Sequence, residues 1–270
     1  IIGAGSVGTP AAFYLARAGL KPLVVDSLAS PGQGANKSAI GGIRATHSDI
    51  AKIRIGLKSL EAFSTWEETY GDSIEWIRGG YTFVAYGERE EGILKDLLTV
   101  QQAHGLNISW LEAESLLQTV PDLNPDGLIG GTLSPEAGSA SPLLALPAFY
   151  QHARATGAEF RFGEKVHEIL VEDGAVRGVK TDKGTHAAPV VINAAGAGAN
   201  EVAAMVGIET PSAPDWHEAG VTEPVAPFLG PMVVDIRPAP RSANFYFYQH
   251  HPGQLIFCIT PDPPIVGTDR

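Results

Sequence analysis

Three glycines at the start of the chain, Gly3, Gly5 and Gly8, stand in the spacing G-x-G-x-x-G, and an acidic residue, Asp26, follows eighteen positions after the third. Each has a physical task if a dinucleotide binds there. Gly3 permits a tight turn, Gly5 lets the backbone approach a pyrophosphate, and Gly8 lets a helix pack closely on a strand. The head of that helix, with Ser6 and Val7 leading into it, offers unpaired N–H groups to the anion. Asp26, followed by Ser27, sits where a carboxylate accepts hydrogen bonds from a ribose 2′-hydroxyl, and an acid at that place disfavours a 2′-phosphate. The spacing does not choose between a nicotinamide and a flavin dinucleotide.

The elements that must position these residues are legible around them. Ile1-Ile2 is the stub of a buried strand, Val7, Ala11, Tyr14, Leu15 and Ala18 recur at helical spacing, and Gly19 marks a left-handed helix end. Leu23-Val24-Val25 is the short apolar run of a buried parallel strand ending at Asp26. Residues 27–47 are rich in glycine and serine without periodicity, a long loop of the kind that usually carries function. A helix is predicted over 50–70 from Ile53, Leu57, Leu60 and Phe63, then a strand over Tyr81–Tyr86, helices over 88–104 and 112–119, and an extended stretch at Leu128–Leu133. Ser141-Pro142 opens a helix running to about Thr156. Val166–Val171, Val176–Thr181 and His186–Asn193 form an antiparallel meander through the turns at Asp173-Gly174 and Lys183-Gly184, and Asn244–Tyr248 pairs with Leu255–Thr260 in a later hairpin. Asn244, Tyr246, Tyr248 and His250 share one face of that strand.

Composition bounds the class. The chain has 270 residues and a formal net charge of −11, with 44% hydrophobic and 18% charged residues, the balance of a soluble globular protein that repels nucleic acid and anionic membranes. The single cysteine, Cys258, excludes an internal disulfide and a cysteine-based metal cluster, and fits a reducing, cytoplasmic setting. No apolar run is long enough to span a membrane. No H-E-x-x-H, paired C-x-x-C or G-x-S-x-G motif occurs, so no metal and no catalytic serine are expected. Because a buried strand usually wants about five or six residues, the two-residue stub implies a true N-terminus upstream.

After Asp26 comes Gly34-Ala35-Asn36-Lys37-Ser38-Ala39-Ile40-Gly41-Gly42-Ile43-Arg44. This stretch resembles the second flavin-contacting loop of the FAD-dependent amine oxidoreductases of the D-amino acid oxidase, glycine oxidase and sarcosine oxidase type. The resemblance implies FAD as cofactor, with Asn36, Lys37, Ser38, Gly41 and Gly42 beside it. Asn36 departs from the family, in which a serine is more usual. Asn193-Ala194-Ala195-Gly196-Ala197 is similar to the family's second strand-end contact, which implicates Ala195 and Gly196, and Val166 stands where relatives supply backbone contacts to adenine. Arg44 resembles an arginine that holds the substrate carboxylate in the sarcosine oxidase branch, since a guanidinium presents paired donors to two carboxylate oxygens; a cofactor phosphate or a structural acid are its other possible partners. His47 either lines the pocket, anchors a flavin covalently as in some relatives, or is an ordinary loop residue. Tyr246 and Tyr248 match aromatic residues that relatives place over the substrate, the alternative being sheet packing.

The expected architecture is an α/β, overall α+β, Rossmann-like FAD domain of residues 1–78 and 141–212, with an inserted antiparallel-sheet substrate domain of residues 79–140 and 213–270. The family also closes its site with a C-terminal glycine-rich segment and a last helix, which would lie beyond Arg270. The implied reaction is oxidation of a C–N bond in an amino acid or N-methyl amino acid, on a small-molecule substrate, by a homo-oligomer or with partner subunits. An NAD-dependent dehydrogenase, a non-catalytic subunit and an enzyme acting on a 2-hydroxy acid are the alternatives.

Overall fold

The computed structural model describes residues 1–267, and the chain forms two compact units. One joins Ile1–Ala39 to Pro142–Pro214, the other Ile40–Ser141 to Asp215–Gly267. Residues 40–78 thus belong with the second unit, whereas the sequence places them with the first. The reason is packing: Ala45, Leu57 and Leu60 join Tyr81, Leu106, Met232 and Tyr248 in one apolar cluster.

The first unit is built on a parallel arrangement. Ile2 bridges Val25 on one side and Asn193 on the other, both in parallel, and the strand Leu23–Asp26 pairs in parallel with Glu159–Phe162. The stub is therefore central, and Ile2, Val25, Val166, Ile169, Val179 and Val202 form its core. The first helix, Gly8–Arg17, buries Thr9, Ala12, Phe13 and Ala16. This corrects the predicted face: Val7 and Tyr14 are 66% and 48% exposed. Gly8 sets the rotation, because it lies against the backbone of Gly3 and so turns the positions four and eight residues later inward. Phe13 meets Phe149 of the Pro142–Ala155 helix edge to face, with ring centroids 5.5 Å apart. Gly19 ends the first helix in the left-handed conformation, φ +83°.

The meander consists of Val166–Glu172, Ala175–Thr181 and Thr185–Ala187, all antiparallel. Asp173 and Gly174 both take positive φ, the requirement of the tight hairpin turn. The third strand is shorter than expected. Val190 is largely exposed and only Asn193 makes a bridge, so the following segment is a single contact beside Ile2 and not a buried strand.

A seven-stranded sheet dominates the second unit. Its strands run in the order Glu218–Pro224, Gln254–Pro261, Ser242–Gln249, Met232–Asp235, Tyr81–Ala85, Gly130–Ser134 and Ser109–Glu112. All neighbours are antiparallel except Met232–Asp235 and Tyr81–Ala85, which pair in parallel. One face carries Tyr81, Val234 and Tyr248 into the cluster around Leu60; the other carries Val84 and Val233 into a second cluster with Leu116 and Val120. The helix Glu88–Ala103 follows the Tyr81–Ala85 strand.

Candidate functional site

The glycine turn of the first unit separates into two functions. Gly3 takes φ +105°, and a Cβ there would stand 2.4 Å from the Ala194 carbonyl oxygen; a Cβ on Gly8 would stand 1.9 Å from the oxygen of Gly3. Both are fixed by close approach of backbone to backbone. A Cβ on Gly5 would meet nothing within 4 Å. The space it faces is open, and the N–H groups of Gly5, Ser6 and Val7 have no backbone acceptor among the described residues. Val7 precedes the helix without a side-chain cap. Open space plus unpaired donors at a helix head is what a pyrophosphate requires, so the residues present fit the dinucleotide.

Asp26 is less free than the sequence suggests. Its Oδ2 accepts from Ala4 N–H at 2.7 Å and its Oδ1 from Leu28 N–H at 2.8 Å. The carboxylate ties the glycine turn to the loop that follows, while each oxygen retains a lone pair for a ribose hydroxyl. Ser27, Lys37 and Ser38 are exposed, and Ala35–Ser38 is a short 3-10 turn. Asn36 donates its Nδ2–H to the Pro142 carbonyl at 3.1 Å, which engages one of its two amide protons. Ala195 donates its N–H to Asn193 Oδ1 at 3.2 Å, and Gly196 takes φ +57°. Val166 is in the core, its side chain among Ile2 and Val25. Gly41 and Gly42 lie in the second unit, where Gly42–Ile43 pairs with Gly138–Ser139.

In that second unit Arg44 is placed by the helix Ile50–Ser64. Asp49 caps the helix, accepting from Lys52 N–H at 2.9 Å, and its buried face is Ile53, Gly56 and Leu60. A Cβ on Gly56 would come within 2.7 Å of Ala45 and 2.9 Å of the Arg44 carbonyl oxygen, so this glycine lets the helix lie directly on the Arg44 backbone. The guanidinium carbon stands 5.4 Å from the Tyr81 ring centre and 5.8 Å from that of Phe83. One terminal nitrogen donates to the Thr46 carbonyl, to Thr46 Oγ1 at 3.2 Å and to His47 Nδ1 at 3.3 Å. Among the described residues no carboxylate pairs with it. A half-buried guanidinium held on aromatic rings by neutral acceptors, the Tyr81 hydroxyl among them, has no anion to neutralise it and is suited to receive a carboxylate.

Burial, reinforced by the charges of Arg44 and Lys52, lowers the His47 pKa to about 4. The imidazole is therefore neutral at pH 7. A Nδ1 that accepts from Arg44 carries no proton, which assigns the ring proton to Nε2. A cavity of about 200 Å³ opens here. It is bounded by Arg44, Thr46, His47 and Ser48, by Leu94, Leu97 and Gln101 of the Glu88–Ala103 helix, and by Phe83 and Thr132 of the sheet. Among the described residues no acidic side chain lines it. Gln101 donates its Nε2–H to the His47 carbonyl at 3.1 Å and so ties the helix to the Arg44 loop.

The tyrosines divide. Tyr248 is buried, and its hydroxyl donates to the Ile40 carbonyl. That places it in the core cluster and not over an open surface, with burial pushing its pKa up to about 12. Tyr246 is half-buried, packs beside the same cluster and lies opposite Cys258 in register. Burial and Cys258 raise its pKa, so it remains a neutral phenol. His250, further along the same face, has its pKa lowered by burial. Thr46, Gln101, Thr132 and Gly56 carry no motif; only the interrupted helical pattern at Gly56 hints at a close approach. Among the described residues no group of His, Cys, Asp and Glu can hold a metal, and no helix is long and apolar enough to cross a membrane.

Comparison with known proteins gives a consistent result. The family described as FAD dependent oxidoreductase matches residues 1–270. Mitochondrial dimethylglycine dehydrogenase of Homo sapiens is 27% identical over 226 residues, which cover 84% of this chain and 26% of that protein. N-methyl-L-tryptophan oxidase of Salmonella enteritidis PT4 is 31% identical over 199 residues, 72% of this chain and 52% of that protein. Among solved structures, L-proline dehydrogenase from P. horikoshii superposes with a TM-score of 0.86 at 30% identity, covering 96% of this chain and 70% of that one. The chain therefore spans between about a quarter and a half of the length of these curated relatives.

Proposed function

This chain belongs to the FAD-dependent oxidoreductase family, and from that premise we propose that it oxidises a C–N bond in a small amino acid or N-methyl amino acid. The relatives named above act, by their names, on dimethylglycine, N-methyl-L-tryptophan and L-proline, which are all amino acids or N-methylated amino acids. The observation that carries the reading is Arg44: a half-buried cation without a carboxylate partner among the described residues, at the edge of a cavity free of acidic groups.

Residues 1–39 and 142–214 form the cofactor unit of this proposal. The N–H groups at the head of the first helix hold the diphosphate at Gly5, and Asp26 accepts from the ribose while bracing the turn. Ser6, Val7, Ser27, Asn36, Lys37, Ser38, Ala195 and Gly196 border it, with Val166 contributing by its backbone. Bound FAD supplies the two-electron acceptor that takes up a hydride from the carbon next to nitrogen. Arg44 orients the substrate by its carboxylate, and the neutral His47 holds Arg44 without competing for the anion. Tyr246 covers the substrate as a neutral phenol, and Tyr248 anchors residue 40 at the base of the loop. An amine bound in its neutral form needs no dedicated protein base. The single buried cysteine supports a reducing, cytoplasmic location.

The test is direct. The purified protein should be yellow, and N-methyl amino acids should bleach it under anaerobic conditions. Arg44→Ala should raise KM for such substrates by roughly 10- to 100-fold, the worth of a charge-assisted pair, with a smaller change in kcat. An unchanged KM removes Arg44 from the substrate.

A further inference from the structure

We propose that Thr132 is a specificity-determining residue of the cavity beside Arg44, its hydroxyl recognising an uncharged hydrogen-bonding substituent, such as an alcohol, on a small carboxylate substrate. This rests on the reading of Arg44 as the carboxylate ligand.

Thr132 sits on the strand Gly130–Ser134 directly opposite Phe83 in antiparallel register, so both side chains rise from the same face of the sheet. It lines the cavity, is only 2% exposed, and its Oγ1 has no hydrogen-bond partner among the described residues. A hydroxyl buried without a partner is unfavourable, and valine would fill the same volume without that cost. Ser134, two positions on, is equally buried and unpartnered but does not reach the cavity wall. Thr132 is the one of the two that an occupant can satisfy.

The rest of the lining defines that occupant. With Arg44 engaged by the carboxylate, no second charged side chain among the lining residues can neutralise a further ionised group. Phe83, Leu94 and Leu97 would leave such a group unsolvated. One of the two Nε2 protons of Gln101 goes to the His47 carbonyl, and its side-chain carbonyl oxygen remains an acceptor for an alcohol proton. Donor and acceptor together suit a hydroxyl better than a methyl of equal size. A volume of about 200 Å³ admits only a short substituent.

The probes are 3-hydroxypropionate and butyrate, which match in size, share a carboxylate and carry no amine to oxidise. Their dissociation constants would be measured on the flavin-loaded full chain by perturbation of the visible spectrum, and independently by ligand-induced shifts in melting temperature. The wild type should bind the hydroxy acid about tenfold more tightly, the order of one well-made hydrogen bond. Thr132→Val should abolish the preference and leave butyrate binding within about twofold, whereas Thr132→Ser should keep the preference. Equal binding of both probes by the wild type, or a preference that survives in Thr132→Val, overturns the assignment. Arg44→Ala should weaken both probes alike. If it weakens neither while the wild-type preference stands, the carboxylate reading fails and the role of Thr132 does not.

Discussion

Gly5 and Gly8 belong to one motif, yet the surrounding atoms give them different duties, and this can be measured. A methyl at Gly8 collides with the Gly3 carbonyl oxygen at 1.9 Å, whereas a methyl at Gly5 enters open space. Gly5→Ala should therefore melt within a degree or two of wild type in the absence of cofactor while losing flavin affinity, because the methyl occupies the approach of the pyrophosphate. Gly8→Ala should lose both stability and flavin, since backbone has to move. Thermal melting of the flavin-free proteins, paired with FAD titration, separates the two. If Gly5→Ala retains full FAD affinity, the diphosphate does not lie there. The glycine spacing was plain in the sequence and the division of labour was not, because only the Gly3 and Ala194 backbones reveal which glycine is packed. The same holds for Tyr246 and Tyr248. Alternation put both on one face, but the buried hydrogen bond of Tyr248 to Ile40 depends on where a distant loop runs.

At the scale of elements, the helix Ile50–Ser64 makes the sharper prediction. Replacing glycine by alanine inside a helix ordinarily stabilises it by up to about 1 kcal/mol. At Gly56 the sign should reverse, because the new methyl lies 2.7 Å from Ala45 and 2.9 Å from the Arg44 carbonyl oxygen, both on a backbone that cannot swing aside like a side chain. Gly56→Ala should lower the melting temperature and, by displacing Arg44, raise KM for carboxylate substrates more than it lowers kcat. A stabilised variant with unaltered KM would show that the helix does not position Arg44. Strong local signals made the other elements legible: the Ser-Pro helix start, the Asp-Gly turn and the aromatic hairpin strand all stand where expected. Met232–Asp235 was hidden. It has four residues set among Pro224, Pro227, Pro231, Pro238 and Pro240, and it finds its parallel partner, Tyr81–Ala85, some 150 positions away. Local pattern carries no trace of such a partner. The helical face of Gly8–Arg17 is hard to read for a related reason: three of its inward residues, Thr9, Ala12 and Ala16, are small, and periodicity weighs them lightly beside Tyr14 and Leu15.

For the whole molecule, acidity should act on the two units in different windows. In the second unit, burial lowers the pKa of both His47 and His250 below the ordinary histidine value near 6.5. The unfolded chain then binds more protons than the folded one as pH falls through 6.5, so the stability these groups confer is complete above that value and declines towards the folded pKa, about 4 for His47. In the first unit the sensitive group is Glu164. Its buried carboxylate accepts from Thr181 Oγ1 at 2.6 Å and pairs with His186 Nε2 at 2.6 Å, and the hydrogen bond from Thr181, then that from His186, hold its pKa below the usual carboxylate value. A depressed carboxylate stabilises above its unfolded pKa and is lost only as pH falls through the folded one. Lowering pH from 7 to 5 should thus loosen Ile40–Ser141 and Asp215–Gly267 first, while Ile1–Ala39 and Pro142–Pro214 hold until the carboxylate range is reached. Hydrogen exchange read peptide by peptide at pH 7, 5 and 4 resolves this order. Glu164→Gln should blunt the acid response of the first unit alone, and His47→Gln that of the second. Simultaneous loosening of both units between pH 7 and 5 would mean that these buried groups do not govern how the protein responds to acid.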